Sequence, residues 1–213
     1  NGKDYSGDYT YEISFDGTTD TITGATGTGT RTLNANDNIS YTYDGNTYTT
    51  AKSGSTIQIE ISGPSASTET FYGGTATATY STGGTFTYKG NNYTAESSAT
   101  LTLTKNNGTD GTVTLSGAGT RTDSTTKKFT LDSVEYSADD VTYRIADTDT
   151  AESVYNATGT KTYNENGTFT YNGTDYSATT HGATLKLTVT NGTASKTFES
   201  GSAKSSSGYI VKG

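Results

Sequence analysis

Gly167-Thr168-Phe169-Thr170-Tyr171-Asn172-Gly173-Thr174-Asp175-Tyr176-Ser177-Ala178 is the stretch that decides the fold of this chain. Phe169, Tyr171 and Tyr176 stand among small and hydroxylated residues on either side of Asn172-Gly173. That dipeptide accepts the positive φ angles of a type I′ turn, so the stretch predicts two short strands folded back as a tight hairpin. Three variants of it lie upstream. They are Tyr41-Thr42-Tyr43-Asp44-Gly45-Asn46-Thr47-Tyr48, Phe86-Thr87-Tyr88-Lys89-Gly90-Asn91-Asn92-Tyr93 and Phe129-Thr130-Leu131-Asp132-Ser133-Val134-Glu135-Tyr136. Each copy is introduced by a small-residue segment: Gly29-Thr30-Arg31-Thr32, Gly74-Thr75-Ala76-Thr77, Gly119-Thr120-Arg121-Thr122 and Gly159-Thr160-Lys161-Thr162. Measured from Tyr48, Tyr93, Tyr136 and Tyr176, the period is about 40–45 residues, which marks a repeat architecture. In the third copy Leu131 replaces Tyr and Asp132-Ser133 replaces the glycine turn, which predicts a different or looser turn there.

Each copy continues into a second hairpin. Thr56-Ile57-Gln58-Ile59-Glu60-Ile61 returns through Phe71, and Leu101-Thr102-Leu103 returns through Val113 and Leu115. Val141 to Ile145 returns through Val154-Tyr155, and Leu185-Lys186-Leu187-Thr188-Val189 returns through Phe198. The opening hairpin, residues 9–23 around Asp16-Gly17, matches this second half, so the chain reads as beginning mid-repeat. Apolar and polar residues alternate with the period of half-buried strands, and no segment carries a 3.6-residue apolar period. The reading is therefore all-β: antiparallel hairpins in four tandem repeats. Residues 1–24 form a partial repeat, followed by repeats at 25–73, 74–118, 119–158 and 159–213, with the copies grouping as two β-domains of two repeats each. An elongated β-sandwich-like arrangement is expected, with a solenoid-like or small propeller closure as the alternative.

Composition sets bounds on function. Hydrophobic residues are 29% of 213, with 17 Tyr, so aromatic rings and Thr methyl groups must fill thin layers in place of a thick aliphatic core. The net charge of −8 argues against nucleic acid or an anionic membrane as partner. No apolar run approaches the roughly 20 residues a spanning helix needs. With no Cys, Met or Trp, and abundant Thr, Ser, Gly and Asn, the composition matches that of secreted or surface-exposed bacterial proteins. No charged-apolar-small signal peptide stands at Asn1, so the chain is expected to be a mature or excised segment, cut out of something longer.

Chemistry is sparse. His181 is the only histidine, which excludes a histidine metal cluster, and it falls just beyond a predicted strand as a solvated loop residue. Asp139-Asp140 and Asp147-Thr148-Asp149, with Glu152 beyond, are the densest acidic cluster. Asp139, Asp140, Asp147 and Asp149 are the calcium candidates, since Ca²⁺ takes six to eight oxygens, and the competing reading is a solvated turn. No other cofactor and no catalytic residue is indicated, so an enzyme is not expected. Ranked Thr-x-Thr runs are read as cross-strand pairing, not as an ice-binding face. The sequons at Asn38, Asn92, Asn107, Asn156, Asn166, Asn172 and Asn191 are about as many as an Asn-, Ser- and Thr-rich composition produces by chance. Tyr43, Tyr48, Phe86, Tyr93, Phe129, Tyr136, Phe169, Tyr171 and Tyr176 alternate at strand spacing in the copies. They are read as a structural motif forming the core, with sugar stacking as the competitor.

The repeated Phe/Tyr-Thr-Tyr-x-Gly-x-x-Tyr hairpin in a Thr/Gly-rich, Cys-free, acidic chain resembles the variable outer domains of bacterial flagellins and related repetitive surface and adhesin β-domains. The resemblance implies an extracellular or cell-surface structural role as the solvent-exposed outer part of a filament subunit. Its alternative is a stalk or carbohydrate-binding module of a repetitive adhesin. It also implies other copies of itself or flanking domains of a longer chain as partners, and host or environmental glycans in the adhesin case, with no membrane insertion.

Overall fold

The computed structural model describes residues 4–34, 36–49, 53–63, 65–66, 69–208 and 210–213. Residues 1–3, where the expectation about the start of the chain partly falls, lie outside them. The repeated turns set the local geometry. Both central residues have positive φ at Asp44-Gly45 (46° and 72°), Lys89-Gly90 (50° and 79°) and Asn172-Gly173 (49° and 75°), as a type I′ turn requires. Asp132-Ser133 adopts the same pair of angles, 49° and 62°. The looser turn expected in the third copy is thus corrected: the strands on either side pair in the same two-residue register and hold a non-glycine residue in the left-handed region.

The chain divides into two compact units, Asn1–Gly117 and Ala118–Gly213. In the first, the strands are β1 (Ser6–Phe15), β2 (Asp20–Thr32), β3 (Ser40–Tyr43), β4 (Asn46–Thr49), β5 (Thr56–Gly63), β6 (Ser65–Ala66), β7 (Thr70–Tyr80), β8 (Thr85–Tyr88), β9 (Asn91–Ala95), β10 (Ala99–Asn106) and β11 (Thr109–Ser116). The long strands pair in the order β1-β2-β5-β7-β10-β11, and β3–β4 and β8–β9 are the two motif hairpins. The second unit contains β12 (Ala118–Asp123), β13 (Lys128–Leu131), β14 (Val134–Ala146), β15 (Ser153–Tyr163), β16 (Thr168–Tyr171), β17 (Thr174–Thr190), β18 (Thr193–Ser205) and β19 (Ile210–Lys212). Its sheet runs β12-β14-β15-β17-β18-β19. Every pairing is antiparallel, no helix occurs among the described residues, and no barrel closes. The fold is all-β and sandwich-like.

The second unit shows what a copy is. β12 pairs with residues 141–146 of β14 and β13 with residues 134–137, while β15 runs along the opposite edge. β12 and β13 are therefore one strand interrupted by a loop at residues 124–127, where the Asp123 carboxylate accepts from the backbone N–H groups of Thr125 and Thr126. β15, β16 and β17 repeat the plan, and register breaks between Ala138/Val141 and Ala178/Ala183 bend the long strands at the equivalent place. Within each unit the return strand of one copy is the first strand of the next, so the positions 24/25 and 158/159 fall inside β2 and β15; from the second copy to the third, β11 ends at Ser116 and β12 begins at Ala118 as separate strands. Copies three and four share one hydrogen-bonded sheet, which is incompatible with separate propeller blades.

Register also corrects one anchor. Gly29 faces Ile59, Gly119 faces Ile145 and Gly159 faces Leu187. In the second copy the residue facing the corresponding Leu103 is Ala76. The true counterpart of Gly159-Thr160-Lys161-Thr162 is thus Ala76-Thr77-Ala78-Thr79, two residues beyond the Gly74 segment. The small residue is needed for packing: a Cβ at Gly159 would stand 2.7 Å from Cε1 of Phe129 and 3.0 Å from Cβ of Tyr136. The hairpin aromatics thus cover the glycine of the following strand. Threonine pairs recur at matching positions, Thr79–Thr100 and Thr122–Thr142 at 3.3 Å and Thr162–Thr184 at 3.0 Å.

Candidate functional site

The motif aromatics are cross-strand partners in every copy: Tyr41 with Tyr48, Phe86 with Tyr93, Phe129 with Tyr136 and Phe169 with Tyr176. In the last three copies the rings stack at centroid distances of 5.8, 5.5 and 6.0 Å. Tyr48, Phe86, Tyr93, Phe129, Tyr136 and Phe169 are buried, whereas Tyr43, Tyr171 and Tyr176 are half-buried. Tyr41, absent from the motif residues chosen by sequence, is the register counterpart of the phenylalanines, and its ring meets Phe71 edge-on at 5.8 Å.

The two hairpins of the first unit meet at Asn46, which is 2% exposed. Its carboxamide nitrogen donates to the carbonyls of Thr87 (2.8 Å) and Asp44 (3.1 Å). Its oxygen accepts from the Thr87 N–H (3.0 Å) and the Tyr80 hydroxyl (2.8 Å). The pair flanking an I′ turn exchanges both hydrogen bonds, and the next pair does not. Thr87, opposite Asn92 in that second position, therefore turns its N–H and C=O away from β9. Asn46 satisfies both groups as one residue of a further strand would. Beside it the Tyr48 hydroxyl is sealed from solvent, and burial pushes its pKa up to about 12.

The second unit has the same frame with one decisive change. By register Val134 stands where Asn46 does, Thr170 where Thr87 does, Tyr163 where Tyr80 does and Tyr136 where Tyr48 does. Valine has no carboxamide. A groove of about 1180 Å³ opens between the third-copy tip (Asp132, Val134, Glu135) and β16, walled by Tyr136, Tyr163, Phe169 and Tyr176. Thr170, paired with Asp175, directs its N–H and C=O outward by the same rule, and it is exposed. No described residue hydrogen-bonds the Tyr163 hydroxyl, whose pKa is raised by burial, as is that of Tyr136. Lys161, Lys196 and Lys204 line the groove without an ion pair among the described residues. Glu135 pairs with Lys128 at 2.9 Å, and Asp175 accepts from the Thr170 hydroxyl at 2.6 Å. The site can hold a neutral polar group by paired hydrogen bonds against aromatic walls.

An Arg–Glu fork recurs in alternate copies. Arg31 on β2 holds Glu69 through Nε (2.5 Å) and a terminal nitrogen (3.1 Å), and Arg121 on β12 holds Glu152 through the same two positions. Each fork crosses the intervening strand, and Arg121 also lies over the Tyr143 ring at 4.5 Å. Repetition and bidentate geometry mark these as structural clasps.

The calcium candidates do not converge. Asp139 and Asp140 are exposed at the β14 bulge, where Lys127 approaches Asp139 at 3.8 Å. Asp147 is exposed, and Asp149 caps its own turn by accepting from the Ala146 N–H at 2.8 Å. No group of three or more His, Cys, Asp or Glu that could hold a metal lies together among the described residues. His181 lies within β17, not in a loop, and is exposed. The groove residues escaped sequence reading because each looks ordinary alone. Their only sequence signal is the third-copy departure at Val134, and that needs copy-to-copy register to interpret. No family model, curated protein or solved structure matches this chain.

Proposed function

We propose that this chain is the solvent-exposed outer part of an extracellular bacterial filament subunit, a structural surface segment without catalysis. The observation that carries the reading is that the most distinctive residues of the sequence are spent on the fold. In each copy the repeated aromatics pair across a hairpin, and in the third they cover a glycine of the next copy's strand. The chain is acidic and rich in Thr and Ser, which favours solubility in a crowded surface array, although Tyr11, Ile13 and Phe15 on β1 also face solvent. Within each unit one copy's return strand begins the next, so neighbouring copies are joined by a shared strand. The test is the sequence flanking this segment in the full-length gene product, together with immunogold labelling of intact cells. Apolar heptads at both ends and label along filaments support the reading; further β repeats and label at the cell envelope contradict it.

A second reading, the glycan-binding module of a repetitive adhesin, is favoured by one observation: the aromatic-walled groove of the second unit, at the place where the first unit buries Asn46.

A further inference from the structure

We propose that the free edge of β1 is a docking site for the first half of a further copy of this repeat. That half is a strand spelling small residue-Thr-x-Thr, then a short loop and an aromatic-Thr-aromatic strand. Nothing in this joint depends on the surface role proposed above.

The third copy supplies the template. β14 carries two partners on its outer edge, β12 along residues 141–146 and β13 along residues 134–137. Strand register makes β1 the counterpart of β14. Ser6 faces Thr30 and Gly7 faces Gly29, as Ser137 faces Thr160 and Ala138 faces Gly159. Farther along, Tyr9 faces Gly27 as Val141 faces Ala157. Tyr5, Tyr11 and Ile13 therefore stand where Tyr136, Tyr143 and Ile145 do. Yet β1 pairs with β2 alone among the described residues, so a strand of 10 residues has no partner along its outer edge. It holds neither Lys nor Pro, the residues that commonly guard a sheet edge. The consequence is exposed apolar surface. Tyr11, Ile13 and Phe15 are 56, 62 and 67% exposed, whereas Ile145, paired with Gly119 of β12 through β14, is 1% exposed.

The sequence names the occupant. Asn1-Gly2-Lys3-Asp4-Tyr5-Ser6 differs from Asn172-Gly173-Thr174-Asp175-Tyr176-Ser177 only at Lys3, so it spells the return half of a motif hairpin. The half that completes it in the fourth copy runs from Gly159 to Tyr171. Laid along β1 in the third-copy register, such a half sets its small residue against Ile13, its x residue against Tyr11 and its first aromatic against Tyr5. Tyr5 is already anchored for this pairing, because its hydroxyl donates to Glu69, which Arg31 of β2 clasps. Pairing of two β1 strands fits less well. It leaves Tyr5 without the aromatic that each complete copy sets opposite its tyrosine.

The experiment adds a synthetic peptide of residues 159–171 to the isotope-labelled full chain and follows amide shifts and hydrogen exchange by NMR. Saturable shifts at Tyr11, Ile13 and Phe15 are expected, with exchange of the outward β1 amides slowed by about tenfold or more. The peptide carrying Phe169→Ser and Tyr171→Ser should bind about tenfold more weakly. So should the native peptide on a chain with Ile13→Lys, an exposed change that leaves the Ser6–Thr30 pairing in place. Fusing residues 159–171 directly ahead of Asn1 raises the local concentration and should protect β1 with no peptide added. Equal response to the serine peptide overturns the proposal, because the aromatic pairing with Tyr5 would then carry nothing. Self-association of the chain alone, abolished by Ile13→Lys, assigns the edge to a second β1 and overturns it as well. No protection of β1 by peptide or fusion, with the chain folded, overturns β1 as a docking site.

Discussion

Gly159→Ala probes the packing that joins one copy to the next. The added methyl would lie 2.7 Å from Cε1 of Phe129, 2.9 Å from the Ser137 carbonyl oxygen and 3.0 Å from Cβ of Tyr136. Comfortable carbon contacts are about 3.5–4.0 Å, so three neighbours must each give by roughly 0.5–1 Å. Two of the three are backbone or next to it, leaving the Phe129 ring as the part free to move. Overpacking of this kind costs about 1–3 kcal/mol, and relief of glycine's backbone entropy returns about 0.5–1 kcal/mol. The net expectation is a loss of about 1–2 kcal/mol. Ala76 occupies the matching position in the first unit, where the hairpin residue is Tyr41 and its ring lies against Phe71. Alanine is thus tolerated once the covering ring sits elsewhere. Urea unfolding followed by circular dichroism, with residue-level amide exchange to place the loss in β13–β15, measures the effect. In a Phe129→Leu background, the further loss caused by Gly159→Ala should shrink. A change below about 0.3 kcal/mol, or the same loss in both backgrounds, would refute the idea that the ring rests on the glycine.

Three further expectations follow from the same geometry. Tyr48 has a folded pKa of about 12 against an ordinary value near 10, so the buried phenol stabilises the fold fully below pH 10 and loses that contribution as pH rises toward 12. At about 1.4 kcal/mol per pKa unit this amounts to roughly 3 kcal/mol. Tyr80, Tyr136, Tyr143 and Tyr163 are shifted the same way, and stability measured against pH should fall less steeply in Tyr48→Phe. A double-mutant cycle of Arg121→Gln and Glu152→Gln should give a coupling of about 1 kcal/mol, since both side chains remain about one-fifth exposed and are screened. Ser133→Gly should raise stability by about 0.5 kcal/mol or more in thermal unfolding, because it relieves a serine held at a φ of 62°.

The fold was legible because its signals repeat. Asn172-Gly173 announces a I′ turn, and the recurrence of Phe169 and Tyr176 in the other copies turns a local hairpin into an architecture. Two elements were misread for physical reasons. Asp132-Ser133 lacks glycine, yet the flanking pairs from Lys128/Ser137 to Leu131/Val134 impose the same backbone. Gly74 resembled Gly159 by spelling, whereas strand register assigns the role to Ala76, because the requirement there is a small side chain and alanine meets it. The groove was not legible at all: Val134 reads as one more β-branched strand residue until the structure shows that Asn46, its counterpart, holds the backbone of the neighbouring hairpin.

The contrast between the two units can be measured at two amides. Hydrogen exchange on the unliganded chain should find the Thr87 N–H, held by Asn46 at 3.0 Å, strongly protected, and the Thr170 N–H, facing the groove, exchanging orders of magnitude faster at equal global stability. Equal protection of the two would contradict the account, because it would mean that the second unit closes its own junction as the first does.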